Sequence, residues 1–205
     1  MSSPEHSSRP LGHAAVGIDP RERGTGPLDV RALFGNERPI VLEIGSGKGR
    51  FLLQEAKKHP ELNFIGVEKS LHYYRHVVDR IVRHGVPNVR VVNWDAFLLL
   101  EKLVPEASVR EIHIYFPDPW PRPRERKRRI IRPEAVAQLR RVLEPGGRGW
   151  YVTDHAEYFD AAVPALGAEF EIEAGRIVHD PPRTNYEAKY QAEGRPIYQV
   201  SFRRR

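Results

Sequence analysis

Four carboxylates in this chain of 205 residues sit at or beside the ends of short apolar runs. Glu43 lies inside Ile40-Val41-Leu42-Glu43-Ile44, directly before Gly45-Ser46-Gly47-Lys48-Gly49. Glu68 follows Asn63-Phe64-Ile65-Gly66-Val67, and Asp95 follows Val89-Arg90-Val91-Val92-Asn93-Trp94. Asp118 follows Ile112-His113-Ile114-Tyr115-Phe116-Pro117. A glycine-rich turn lets backbone approach a ligand, and the helix after it offers free N–H groups. An acid roughly 20 residues beyond such a turn is placed to accept from both hydroxyls of a ribose. An acid or amide at the next strand end, Asp95 or Asn93, is placed to read an adenine amino group, with Trp94, Ala96 or Phe97 over its face. For Asp95, capping of the helix that follows is the other reading. Asp118 stands between Pro117 and Pro119, beside Trp120, and a cationic run comes next: Arg122, Arg124, Arg126, Lys127, Arg128, Arg129 and Arg132, with one acid, Glu125. A carboxylate at a strand end followed by a cationic loop describes a pocket beside a polyanion.

These side chains need a frame. Continuous apolar runs with β-branched residues predict buried strands at 40–44, 63–67, 89–93, around 112–116 and at 149–153. Between them lie amphipathic stretches: Phe51, Leu52, Leu53 and Ala56; Leu71, Tyr74, Val77, Val78, Ile81 and Val82 after a Ser70 cap; and Val136, Leu139, Val142 and Leu143 after Pro133. Leu143-Glu144-Pro145-Gly146-Gly147 is expected to stop the last of these helices. Phe170–Glu173 and Ile197–Phe202 read as two final strands, antiparallel. The alternation predicts an α/β fold, a doubly wound, mostly parallel seven-stranded sheet with helices on both faces. Ligands of such sheets bind at the carboxyl ends of the strands, where all four acids lie. Residues 179–195 read as a long polar, irregular loop of the kind that carries function.

Composition narrows the chemistry. A net charge of +6 and a pI of about 9.7 favour an anionic partner, nucleic acid ahead of an acidic membrane. The absence of cysteine excludes disulfides, zinc–thiolate sites and thiol catalysis. No apolar run approaches the length of a membrane span, so no membrane partner and a cytoplasmic location are expected. His72 and His76 lie one helical turn apart, but no third ligand is near them in sequence, so no metal is expected. Residues 1–26, rich in Ser, Pro and Gly, read as a flexible N-terminal tail, and residues 27–205 as one domain. The glycine spacing G-x-G-x-G is neither that of the dinucleotide enzymes nor a P-loop, which lowers a nicotinamide oxidoreductase.

With these residues in view, Glu43-Ile44-Gly45-x-Gly47-x-Gly49, Glu68, Asp95 and Leu143-x-Pro145-Gly146-Gly147 resemble a Rossmann-like class I methyltransferase that uses S-adenosylmethionine. Phe116-Pro117-Asp118-Pro119-Trp120, with Lys127-Arg128-Arg129, Thr153-Asp154 and Thr184-x-x-Glu187, is similar to the bacterial tRNA (guanine-N7)-methyltransferase family over about residues 39–202. The resemblance implies S-adenosyl-L-methionine bound by Glu43, Gly45, Gly47, Glu68, Asn93, Asp95 and Asp118. It implies tRNA as the partner, touched by Arg124, Glu125, Arg126, Lys127, Arg128 and Arg129, for a monomer or homodimer. Asp118 would serve both cofactor and chemistry. The target guanosine, at position 46 of the variable loop, would be held by Arg122, which stands where the family often has lysine, and by Asp154, Thr184, Asn185, Tyr186 and Glu187.

Elementary chemistry then fixes the expectation for Asp118. Guanine N7 carries a lone pair and no proton, so it attacks a methyl carbon directly and the ring becomes cationic. A carboxylate beside the ring supports that charge and accepts from the N1–H and N2–H₂ edge, selecting guanine over adenine. Two other readings compete. A methyltransferase for an exocyclic amine would have Asp or Asn before a Pro-Pro-aromatic sequence, not Pro-Asp-Pro-Trp. A catalytically silent RNA-binding subunit would be expected to have lost the acids.

Overall fold

The computed structural model describes residues 11–22, 26–173 and 183–205. The chain begins with α1 (His13–Val16), β1 (Gly17–Ile18), a 3₁₀ turn at Pro20–Glu22 and α2 (Val30–Phe34). The central alternation is β2 (Ile40–Ile44), α3 (Arg50–Lys58), β3 (Asn63–Val67), α4 (Leu71–Arg83), β4 (Val89–Val92), α5 (Ala96–Lys102) and β5 (Val109–Tyr115). A 3₁₀ helix at Pro123–Arg128 precedes α6 (Pro133–Val142), β6 (Leu143–Thr153), α7 (Ala156–Gly167), β7 (Glu171–Glu173), α8 (Asn185–Ala192) and β8 (Tyr198–Arg203).

The strands form one sheet in the order β1-β4-β3-β2-β5-β6-β8-β7. All neighbours are parallel from β1 to β6, and β8 runs antiparallel to both β6 and β7. The sheet therefore has 8 strands rather than seven. The additional strand is β1, inside the segment expected to be a tail. Its residues pair Gly17 with Val91 and Ile18 with Val92, and Val16 and Ile18 are buried. Two residues, Gly17 and Ile18, make a strand only because the edge of β4 is there to accept them, a tertiary effect that propensity does not show.

Alternate residues of each strand feed two cores. Leu42, Ile44, Ile65, Ile112 and Ile114 pack with α5, α6 and α7 on one face. Val41, Phe64, Val89 and Tyr115 pack with α3 and α4 on the other. This two-sided burial is why β2 and β3 read as unbroken apolar runs. β6 departs from expectation at its start. It begins at Leu143 opposite Val109, and Arg148 is the next partner, opposite Glu111, so residues 144–147 bulge from the ladder instead of lying outside it.

Candidate active site

β2 lies where the winding reverses: β3 and β4 stack to one side of it and β5 to the other. The crevice between β2 and β5 is the place such a sheet offers a ligand. A cavity of about 320 Å³ opens there. Its floor is Glu43 and the Gly45–Arg50 turn, and its far wall is Tyr115, Phe116 and the first turns of α8. Gly45 and Gly47 have φ of 81° and 50°, left-handed conformations that suit glycine, and a Cβ at either would meet open space. The turn is thus bare backbone facing the cavity. Tyr115 is fixed by a chain along one face of β5. Its hydroxyl lies 2.9 Å from His113 Nδ1, and His113 Nε2 lies 3.3 Å from Glu111. The buried imidazole stacks on Trp150, with ring centres 4.6 Å apart.

Glu43 is 3% exposed, and its Oε2 has no hydrogen-bond partner. The buried Ser46 hydroxyl beside it has no partner other than that carboxyl. Burial, opposed by Ser46 and assisted by repulsion from Glu68, pushes the Glu43 carboxyl up to about 8. A buried carboxyl oxygen without a partner, beside a hydroxyl with free lone pairs, calls for a donor-rich ligand group, and an ammonium meets the need. Because the folded value lies above 4.5, the stability that protonated Glu43 contributes is complete below that pH and is lost as pH rises to about 8. Glu43→Gln should therefore gain on the wild type across this window, by at most about 1.4 kcal/mol per pH unit, and plateau beyond it. Denaturant titrations over the window check this; parallel stability profiles would mean that Glu43 titrates as an ordinary carboxyl.

The next two strand ends form a linked frame. Glu68 accepts from the backbone N–H of Gly47 at 2.9 Å and of Ser70 at 2.8 Å, tying the glycine turn to the start of α4. Burial raises its pKa, these two bonds oppose the rise, and the Asp118 charge adds to it. Asn93 is buried and donates to the carbonyls of Glu68 and Lys69 at 2.9 and 3.2 Å. Its Oδ1 accepts from Arg21 at 3.1 Å, whose guanidinium stands 5.9 Å from the Trp94 ring centre. Asp95 caps α5 by accepting from Phe97 and Leu98 at 3.0 and 3.2 Å, and pairs with Lys69 at 3.1 Å.

β5 ends in a corner bracketed by two bulky residues in the left-handed region, Phe116 at φ 48° and Trp120 at φ 43°. Such conformations cost about 1 to 3 kcal/mol each and persist where the surroundings over-determine them. Here the Phe116 N–H donates to the Val152 carbonyl at 2.7 Å, and Arg128 lies over the Trp120 ring at 4.8 Å. The turn projects Asp118 into solvent, where its charge acts on both Glu68 and Tyr186.

Comparison with known proteins agrees with this geometry. A family model described as "Putative methyltransferase" matches residues 37–200. A protein of Nitrosococcus oceani named tRNA (guanine-N(7)-)-methyltransferase is 37% identical, covering 88% of this chain and 78% of its own length. One of the same name from Geobacter metallireducens is 36% identical, covering 91% of this chain and 92% of its own. The chain belongs to this family of methyltransferases. The fold recurs more widely: the 16S rRNA methyltransferase KamB superposes with a TM-score of 0.67 at 15% identity, over 89% of this chain and 96% of its own.

The residues named by the family resemblance fall into distinct places. Glu43, Gly45 and Gly47 line the cavity, together with Thr184, Asn185 and Tyr186 from the other side. Residues 185–192, expected to be irregular, form α8; residues 179–182 of that loop lie outside the described ones. Thr184 caps the helix by accepting from Glu187 N–H at 3.0 Å, and Glu187 accepts from Arg183 N–H at 2.7 Å. This is a close relative of the capping box, so buried Thr184 and Glu187 orient the helix while Asn185 and Tyr186 stay exposed. Asp154 stands 3.6 Å from Arg195 at the end of β6. Arg122, Arg124, Arg126, Lys127 and Arg128 are exposed, with Arg126 3.3 Å from Glu157 and Glu125 near Arg122 at 4.0 Å.

Arg129 departs from the reading that groups it with the RNA contacts. It is 4% exposed, donates through Nε to the Pro119 carbonyl at 2.8 Å, forks onto Glu157 at 3.2 and 2.5 Å, and covers Tyr158 at 4.5 Å. Its charge is consumed inside the protein. Sequence reasoning also missed Lys48, Arg50, Tyr73, Tyr115, Phe116 and Lys189 as cavity-lining residues. Arg50 and Lys48 were legible from their place in the glycine turn. Tyr73 and Lys189 come from helices whose approach only the tertiary fold sets. Among the described residues, no cluster of His, Cys, Asp and Glu suits a metal, and no helix is long and apolar enough to cross a membrane.

Proposed function

We propose that the chain methylates N7 of a guanine in tRNA, the variable-loop guanine at position 46, using S-adenosylmethionine. The observation that carries this reading is Asp118. It is held by a strained corner at the end of β5, two residues beyond Phe116, which lines the cavity, and an exposed cationic run continues from it. The cofactor, when bound, supplies a methyl group on a sulfonium whose sulfur leaves neutral. The residues present fit it. Glu43 and Ser46 offer acceptors with free lone pairs at the cavity floor, and the bare glycine turn allows close approach. Glu68 and Asp95 are the carboxylates available to a ribose and an adenine, although both already accept backbone donors of their own frame.

Asp118 orients the guanine through the N1–H and N2–H₂ edge and supports the positive charge that arrives on the ring. It removes no proton, because N7 has none. Arg122, Arg124, Arg126, Lys127 and Arg128 hold phosphates and supply affinity, while the pocket supplies the choice of base. A cytoplasmic enzyme, monomeric or homodimeric, belongs to the same proposal. Transfer of labelled methyl to a tRNA transcript, followed by cleavage chemistry specific for N7-methylguanosine, tests it. Cleavage at the variable-loop guanine is the expected result; label on an exocyclic amine, or no label, would overturn the reading.

A further inference from the structure

Large apolar side chains that remain in water tend to mark a contact surface when they cluster. Among the described residues these are Leu71, Tyr73 and Tyr186, exposed by 45%, 36% and 49%. Tyr73 and Tyr186 both line the cavity at the sheet's switch point, and Leu71 lies two residues from Tyr73 on the same first turn of α4. The two tyrosines come from different sides: Tyr73 from α4, beyond the glycine turn, and Tyr186 from α8, across it. They are near enough that Tyr73 adds, after burial, to raising the Tyr186 phenol.

We propose that Tyr73 and Tyr186 are the two walls of a slot that holds the substrate purine by stacking. This rests on the RNA methyltransferase reading above and assigns a role to Tyr73 that the motifs do not. Four observations support an RNA base as the occupant. First, Tyr186 is preset: Phe116 and Tyr190 lie 6.2 and 5.8 Å from its ring centre and 5.3 Å from each other. Second, Phe116, beside which the Tyr186 ring lies, is the left-handed residue that starts the Asp118 corner, so the wall and the carboxylate converge on one residue. Third, the Asp118 charge acts on the Tyr186 phenol, so the slot lies within electrostatic reach of the group that would read the base edge. Fourth, the cavity lining includes Lys48, Arg50 and Lys189, cations suited to the phosphates on either side of a bound nucleotide. An aromatic slot lined with cations matches a base and its backbone; an apolar peptide would give Lys48 and Arg50 no anionic partner, Lys189 being already 3.8 Å from Glu193.

The slot makes Tyr73 a residue for the RNA and not for the cofactor, and this separates the outcomes. Tyr73 is on the surface, so its replacement leaves the core intact. Loss of one stacking face typically lowers affinity by about 10- to 100-fold. Tyr73→Ala is therefore expected to weaken equilibrium tRNA binding and kcat/KM for tRNA by that factor, with cofactor affinity unchanged. Tyr73→Phe, which keeps the ring, should restore both. The proposal fails if Tyr73→Ala binds and methylates tRNA as the wild type does, or if Phe rescues no better than Ala. It fails also if cofactor affinity falls by the same factor, which would make Tyr73 a cover for the cofactor. A wild-type enzyme that leaves guanine N7 unmethylated would instead overturn the functional reading on which the slot rests.

Discussion

Asp118→Asn should leave the thermal transition unchanged and lower methyl transfer to tRNA by about 10²- to 10³-fold, the usual cost of losing one preorganised electrostatic contact to a developing charge. The fold should survive because Asp118 is exposed and caps no helix. The corner is held by other groups: the Phe116 N–H on the Val152 carbonyl, the Arg129 Nε on the Pro119 carbonyl, and Arg128 over Trp120. The substitution is nearly isosteric but has two effects. It removes the negative charge that supports a cationic ring, and it replaces an acceptor with a donor facing the guanine N1–H. Both act on the RNA side. A third effect acts within the protein: Glu68, held up by burial and further by Asp118, becomes easier to ionise. Cofactor affinity should therefore not rise and fall with turnover. Single-turnover rates alongside cofactor binding measure the two separately. Wild-type turnover by the Asn variant would remove Asp118 from the chemistry.

How much of this was legible in the sequence depended on where each signal resides. β2 and β3 were read correctly because burial on both faces leaves an unbroken apolar run, and Ser70 and Pro133 marked helix starts by local chemistry. The four acids were found because the carboxyl ends of parallel strands are where such a sheet binds ligands, and Glu43 also because an acid inside an apolar strand is costly unless it has a partner. What local reading could not supply is pairing. β1 is two residues long and exists only against the edge of β4. α8 carries no apolar stripe, yet its capping pair Thr184 and Glu187 was visible as spacing and was read as substrate contact instead of helix start. The roles of Asn93 and Asp95 show the same limit: each was placed correctly at a strand end, but the bonds they make hold the frame together. Whether a ligand also uses them is a question of the remaining lone pairs, which no sequence pattern displays.

The basic run states this limit most sharply, because its members look alike in sequence and differ in consequence. Arg129→Ala should destabilise the protein by about 2 kcal/mol, or about 4 to 8 °C in Tm for a chain of this size. Its guanidinium is buried and makes bonds to the Pro119 carbonyl and to Glu157, 28 residues away. Glu157 is itself 44% exposed as a side chain, so it rehydrates when abandoned, and the loss stays below that of a fully buried pair. Arg129→Lys should recover little, since an ammonium cannot reach the carbonyl and fork onto the carboxylate together. Methyl transfer should fall with stability, because the Pro119 carbonyl is one anchor of the Asp118 corner. Reversing Arg124 and Lys127, both exposed, should do the opposite. Tm should hold, tRNA affinity should drop, and the dependence of log Kd on log salt should flatten by nearly one unit for each phosphate no longer neutralised. Thermal melts and salt titrations on both sets of variants compare the two directly. A flattened salt slope from Arg129→Ala at unchanged Tm would return that arginine to the RNA. An unchanged slope from Arg124→Glu with Lys127→Glu would take the exposed run away from it.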